Sequence, residues 1–317
     1  MAAKGVAGLL RAAGPLGALL DLRGARSGEI LVCNRPERVK ELAGDIDEYL
    51  NAGGHARHTL LKLRGRILFS RQLCFGRFAT RALKAVNAFC AASDARGAAC
   101  SSGSLDSELH GALRLLARVI LETPPRRILV SYPSPVLLFT DAAFDLAGEV
   151  PRIGLGGVLF DRDSHAFEFF GMVLEVRVAE ELLEYTANPI AEAETIAMAI
   201  ALNGWAEKLR GRALLGFIDN ESSRHALVKG GSSGVLLSGA CDFVTNAEIG
   251  LQVAAYWERV PSSSNISDAP PRGFTPPQVS GWHPPHARKF SRVLAEMNVQ
   301  LGACRFYWGA RDMHQFC

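Results

Sequence analysis

Two short apolar runs in this chain end in the same way. Val136-Leu-Leu-Phe-Thr140 is followed by Asp141, and Ala213-Leu-Leu-Gly-Phe-Ile218 is followed by Asp219. Runs with so little polar alternation read as strands buried on both faces, which lie in the middle of a sheet covered by helices. As parallel neighbours they set Asp141 and Asp219 side by side at the sheet's carboxyl edge, where α/β proteins take their ligands. Carboxylates that close repel, and one keeps its proton unless a cation neutralises the pair. Magnesium, which prefers carboxylate oxygens and retains several waters, is such a cation.

A third carboxylate sits in an equally telling place. Asn188-Pro189 reads as a helix opening, with Asn at the N-cap and Pro at the first helical position, and the helix is expected to run to about Leu209. Glu194 heads its stretch Thr195-Ile-Ala-Met-Ala-Ile-Ala-Leu202, which is apolar on nearly every face and so must be buried. A buried carboxylate without a partner is costly, and a cation resolves the cost. Glu192 falls on another face and reads as solvated.

Each carboxylate also has an ordinary reading. Asp141 could be a turn former, Asp219-Asn220 an N-cap pair, Glu194 a first-turn complement to the helix dipole, and Asp268 the start of a turn.

Around these residues, Gly154–Phe160 and Ala166–Gly171 read as strands joined by a turn at Asp161–Ser164. Ser222–Val228 is a helix stopped by Gly230-Gly231, a further helix surrounds Asn246, and Val253–Val260 is a strand. Hairpins followed by βαβ units imply one mixed sheet with helices on its faces.

The preceding region differs. Residues 16–33 form a hairpin-like pair of apolar stretches. Pro36–Leu50 is an amphipathic helix with Val39, Leu42, Ile46, Tyr49 and Leu50 on one face. A helical block from His58 to about Phe89 carries Lys62, Arg64, Arg66, Arg71, Arg77, Arg81 and Lys84, residues 91–104 read as a loop, and Leu105–Leu121 as another helix. Residues 1–130 hold 20 Lys and Arg against 11 Asp and Glu, whereas 131–272 hold 10 against 19. A basic part beside an acidic one suits a surface that grips a polyanion next to a site that concentrates carboxylates; solubility charge is the plainer account.

With 48% hydrophobic residues the chain can build a real core. Its seven cysteines contain no CxxC, which argues against a disulfide framework or zinc site and for a reducing intracellular setting, nucleus or cytoplasm. Arg11 and Pro15 interrupt the apolar N-terminus, and no run approaches the roughly 18–20 residues of a membrane span; organelle targeting is the minor alternative. His55-x-x-His58 and His283-x-x-His286 lack partner ligands at metal-like spacing. Gly154-Leu-Gly-Gly does not open a helix and is no dinucleotide site, and Ser262–Ser264 has no base nearby and reads as loop.

Four segments, Phe139-Thr-Asp-Ala-Ala143, Ile190-Ala-Glu-Ala-Glu-Thr-Ile-Ala197, Phe217-Ile-Asp-Asn220 and Asn265-Ile-Ser-Asp-Ala-Pro-Pro-Arg272, resemble the ribonuclease H-like domain that follows the reverse transcriptase in retroelements. The nearest variety is that of DIRS-type, tyrosine-recombinase retrotransposons. Leu63–Phe69 with Phe75-Gly-Arg77 resembles the thumb-to-connection segment there, and Leu16–Leu22 the tail of the polymerase palm. The resemblance implies a mixed five-stranded α/β sheet flanked by helices over 131–272, a palm remnant and mostly helical thumb/connection region over 1–130, and a Pro-containing extension over 273–317. It implies Asp141, Glu194 and Asp219 as ligands of two magnesium ions (manganese an alternative), with Asp268 as a more mobile fourth. The substrate it implies is the RNA strand of an RNA–DNA hybrid, gripped through its backbone by Lys62, Arg64, Arg66, Arg71, Arg77 and Asn220.

The chain departs from that pattern in three ways. It has no Asp-Asp pair for polymerisation and is read as a fragment; Ala143 and Pro271 stand where the family often has Ser; and the tail from 273 matches nothing recognisable, with a final helix expected over Phe290–Val299. A degenerate relic that binds nucleic acid without cutting is the alternative reading.

Overall fold

A computed structural model describes residues 11–13, 17–53, 57–73, 76–96, 103–131, 133–147, 150–274 and 305–307. The chain forms two compact units, Met1–Ser131 and Tyr132–Cys317.

The first unit has a four-stranded antiparallel sheet in the order β1-β2-β3-β4: β1 Arg11–Ala13, β2 Ala18–Asp21, β3 Glu29–Asn34 and β4 Arg126–Leu129. Between β3 and β4 run four helices: α1 Pro36–Asn51, α2 Arg57–Leu73, α3 Thr80–Arg96 and α4 Gly103–Glu122. The buried face of α1 is Val39, Leu42, Ile46, Tyr49 and Leu50, as the periodicity requires.

The helical block expected over 58–89 is two helices, α2 and α3. Between α2 and α3 the backbone turns left-handed at Gly76 (φ 72°) and Ala79 (φ 48°), which no helix accommodates. Arg71 braces the break, donating to the Phe78 carbonyl at 2.6 Å and to the Thr80 hydroxyl. The loop expected at 91–104 is in part helix, because α3 continues through Ala91-Ala-Ser-Asp-Ala-Arg96. Alanine's helix preference there outweighs the small, polar texture.

The second unit is a mixed sheet in the order β10-β7-β6-β5-β8-β9. β5 (Val136–Ala147), β6 (Val150–Asp161) and β7 (Ala166–Val173) form an antiparallel meander, while β8 (Ala213–Ile218) and β9 (Ala254–Arg259) run parallel to β5. These five strands with their helices are the mixed five-stranded α/β sheet flanked by helices that was expected from the sequence. The short β10 (Arg305–Tyr307) adds a sixth strand beside β7; the helix expected at 290–299 lies outside the described residues.

The helices are α5 (Val176–Leu183), α6 (Ile190–Gly204), the single turn α7 (Ala206–Leu209), α8 (Glu221–Lys229) and α9 (Val235–Leu251). α6 lies across β5 and β6 with α9 packed over it, which explains its apolar circumference: Ala197, Met198, Ala199, Ile200, Ala201 and Leu202 are all fully buried.

Three expectations shift. α5 is unannounced, since its eight residues are too few to show a clear period. Pro189 rather than Asn188 is the N-cap of α6, with the Asn188 side chain accepting from the Ile190 N–H at 3.3 Å, and the helix breaks at Trp205. β5 does not end at Asp141 but runs on to Ala147, because its hairpin partner β6 stays paired with it as far as Ala147–Val150. Among the described residues no helix is long and apolar enough to cross a membrane.

Candidate active site

The parallel ladder between β5 and β8 ends at Phe139–Phe217, whose rings stack at 4.5 Å and 14°. Two residues further along each chain stand Asp141 and Asp219. Asp141 still lies in β5, whereas Asp219 has just left β8, so the edge of the sheet has a notch on the β8 side. The expected neighbours are therefore neighbours, by register rather than by both strands ending.

Asn220 turns the chain at that edge. Its side-chain oxygen caps α8, accepting from the N–H groups of Ser222 at 2.9 Å and Ser223 at 3.3 Å. The capping role and the Asp219 placement are thus parts of one turn.

Glu194 comes from the first turns of α6. Oxygens of Asp141, Glu194 and Asp219 all lie within 4.8 Å of one another. Asp141 is 4% exposed and Glu194 2%, while Asp219 is half-buried. Burial first, then the charges of Asp219 and Asp141, push the Glu194 carboxyl up to about 9, against the Asn220 backbone N–H and the Ser223 hydroxyl, which pull it down. Burial, then Asp219, pushes Asp141 up to about 8, with Asp268 adding to the rise and the Ala142 N–H, 2.9 Å from its Oδ1, opposing it.

Glu194 Oε2 is buried with no hydrogen-bond partner. Three converging carboxylates, one with an orphaned oxygen, are the donor set of a hard divalent cation. The fold thus holds apart from water two carboxyls, Asp141 and Glu194, that a cation would let ionise.

Asp268 lies beside this set but not within it. Its side chain is within hydrogen-bonding reach of Asp141. Its Oδ1 accepts from Arg272 Nη2 at 2.9 Å and Nε at 3.1 Å, and both side chains are about half exposed. The Arg272 guanidinium is held above its ordinary range by Asp268 first and by Asp141 and Asp219 as well.

The expected phosphate contacts lie in the first unit and are unlike one another. Lys62 is exposed. Arg64 Nε donates to Asn87 at 2.5 Å, and Arg66 pairs with Glu41 at 3.2 Å and with Asp45. Arg77 is half-buried. Arg71 is buried as the brace between α2 and α3, a structural duty that basic spacing alone did not reveal. Of the paired histidines, His58 is exposed, while His55, His283 and His286 lie outside the described residues.

Sequence reading also missed how Asp268 is held. The side chain of Asn265 reaches the Thr140 carbonyl, and the only signal was an Asn three residues before the Asp.

No protein-family model matches the chain, and no curated protein matches it. Among solved structures it is similar to the N-terminal RNase H domain of a Mycobacterium tuberculosis protein, solved as a fusion with maltose-binding protein. That similarity has 13% identity and a TM-score of 0.32, and covers 43% of this chain and 86% of the other. It is also similar to RNase H1 of the halophilic archaeon Halobacterium salinarum, with 16% identity and a TM-score of 0.33, over 42% of this chain and 89% of the other.

Proposed function

We propose that the second unit is a divalent-cation-dependent phosphodiesterase that hydrolyses the RNA strand of RNA–DNA hybrids. The observation that carries the reading is the convergence of Asp141, Glu194 and Asp219 around a buried carboxylate oxygen with no partner. Evolution of a merely structural core has no use for that oxygen, because a buried acceptor left unpaired costs about 1–3 kcal/mol.

Magnesium, or manganese in its place, would be held by Asp141, Glu194 and Asp219, with Asp268 as a fourth ligand on the strength of the retroelement resemblance. When bound, a pair of such ions supplies Lewis-acid polarisation of the phosphodiester and of its leaving 3′-oxygen. The chain's own part is placement. The stacked Phe139 and Phe217 set the spacing of the two strands that carry Asp141 and Asp219. The Asn220 cap fixes the turn after Asp219, and α6 holds Glu194 in an apolar wall that keeps bulk water from it. Burial pushes the Asp141 and Glu194 carboxyls up to about 8 and about 9, so a bound cation would draw protons from both.

Lys62, Arg64, Arg66 and Arg77 of the first unit, and separately Asn220 of the second, are proposed contacts to a nucleic-acid backbone; such contacts position a duplex without reading its sequence. The whole is best placed with retroelement-derived proteins of DIRS type. The rival reading is a relic that binds a hybrid without cutting it.

Labelled RNA–DNA hybrid incubated with the full chain and Mg²⁺ separates the two. The expected result is RNA-strand cleavage that falls at least about 100-fold in Asp219→Asn, the scale of a lost transition-state electrostatic contact. Binding without cleavage by the parent chain would establish the relic, and equal cleavage by the variant would remove the site.

A further inference from the structure

Residues 265–273 cross the edge of the sheet as a strap with two fastenings. The first is Asn265, which is 6% exposed. Its Nδ2 donates to the Thr140 carbonyl at 3.3 Å, in the peptide group that leads into Asp141. Its Oδ1 accepts from the Ser267 N–H at 3.2 Å and from the Ser267 hydroxyl at 2.7 Å, and Ser267 is wholly buried. The Asp268 N–H then closes the turn onto the Asn265 carbonyl at 3.2 Å. One amide side chain thus shapes the turn and ties it to the strand that carries the first carboxylate.

The second fastening is a smooth patch on β6. Gly156 is the cross-strand partner of Asp141, and Gly154 that of Ala143, so both glycines share a face with Asp141. The buried Pro270 and Pro271 rest there. A Cβ at Gly154 would stand 1.8 Å from the Pro271 carbonyl oxygen. One at Gly156 would stand 2.5 Å from Pro271 Cδ and 2.7 Å from Pro270 Cβ. These are the glycines of Gly154-Leu-Gly-Gly, the motif excluded as a dinucleotide site. Their use is close approach of a second piece of backbone. Between the two fastenings sits Asp268.

We propose that Asn265, working with the Gly154–Gly156 patch, is a positioning residue that fixes Asp268 beside Asp141 and so sets the affinity of the carboxylate cluster for a divalent cation. The proposal rests on the reading of that cluster as a cation site. Two carboxylates from distant parts of the chain share a cation only if the loop bearing the more exposed one is held still. Neither Ala269 nor Arg272 supplies that hold: Arg272 is bonded to Asp268 itself and moves with it. Partners that orient a ligand are typically worth about 10- to 100-fold in metal affinity.

Calorimetric titration of the full chain with Mn²⁺, beside thermal melts that report folding, tests this. Asn265→Ala is expected to weaken Mn²⁺ binding about as much as Asp268→Asn does, and to add nothing when combined with it. Asn265→Asp, which keeps the acceptor for Ser267 but loses the donor to Thr140, should share most of the loss. Gly154→Ala lifts the strap from the other end and should match them; it carries the test if Asn265→Ala does not fold. Parent-like Mn²⁺ binding by folded Asn265→Ala and Gly154→Ala, or losses that multiply in the double variant, would overturn the positioning role alone. So would Asp268→Asn binding as tightly as the parent while Asp219→Asn does not. No Mn²⁺ uptake by the parent chain would overturn the cation-site reading and this proposal with it.

Discussion

Helix α2 in the first unit and helix α6 in the second dispose of charge in opposite ways. α2 buries Leu60, Leu63 and Ile67 and turns Lys62, Arg64 and Arg66 outward, where Arg66 meets Glu41 and Asp45 and Arg64 meets Asn87. Its buried cation, Arg71, is bonded to the Phe78 carbonyl and the Thr80 hydroxyl. α6 is buried almost all round and carries Glu194 with one oxygen unpaired. Charge that finds its partner within the fold is accounted for by stability. Charge enclosed without one calls for something from outside. By that criterion the second unit carries the candidate site, and the first has a solvated surface whose role depends on what it touches.

The largest expected effect that would sharpen the contrast is cation binding. Mg²⁺ at 100 times its dissociation constant stabilises a folded site by about 2.7 kcal/mol. The melting temperature of the chain is expected to rise with Mg²⁺, and the rise should vanish in Asp141→Asn. An equal rise in the variant would place the cation elsewhere.

Next is the pH dependence of stability without a cation. Glu194 holds its proton in the fold up to about 9 but loses it near 4.5 when unfolded. The folded state therefore binds more protons between those values, and stability from this group, full below about 4.5, falls as pH rises through the window. Asp141, raised from 3.8 to about 8, acts with the same sign. Glu194→Gln cannot ionise, so its stability should fall less steeply from pH 5 to pH 8, by up to about 1.4 kcal/mol per pH unit, the linkage of one bound proton. Denaturant melts across that range check it; parallel curves would show that Glu194 is already compensated.

The smallest effect belongs to the first unit. Arg66→Ala is expected to cost under about 1 kcal/mol of stability, as partly exposed ion pairs do. Its hybrid binding should weaken across all sequences, with the salt slope reduced by about one. An unchanged slope would remove Arg66 from the backbone-contacting set.

Much of the fold was legible because burial leaves its mark on local pattern. The apolar runs at 136–140 and 213–218 are central strands, and the amphipathic stripe of 36–50 is the buried face of α1. What misled was structure set by partners or by unusual backbone. β5 extends past Asp141 because β6 is there to pair with it, and the 58–89 block breaks at Gly76 and Ala79, the second a residue whose type gives no warning of a left-handed turn. In the site, Glu194 stood out because an acid in an all-apolar helix contradicts its surroundings. Asn265 did not, since its partner Thr140 lies 125 positions away and an Asn before a turn is commonplace.

By itself the sequence determined the two central strands, the apolar faces of the main helices, and that a carboxylate must enter the core at Glu194. Those properties depend on periodicity and on the cost of burying charge, both of which act over a few residues. Only the tertiary structure decided that Asp141 and Asp219 meet at the end of one parallel ladder, that Glu194 reaches the same notch, and that Asn265 and two glycines of β6 hold Asp268 beside them. Register and close approach join residues far apart in the chain, and no local pattern records the distance between them.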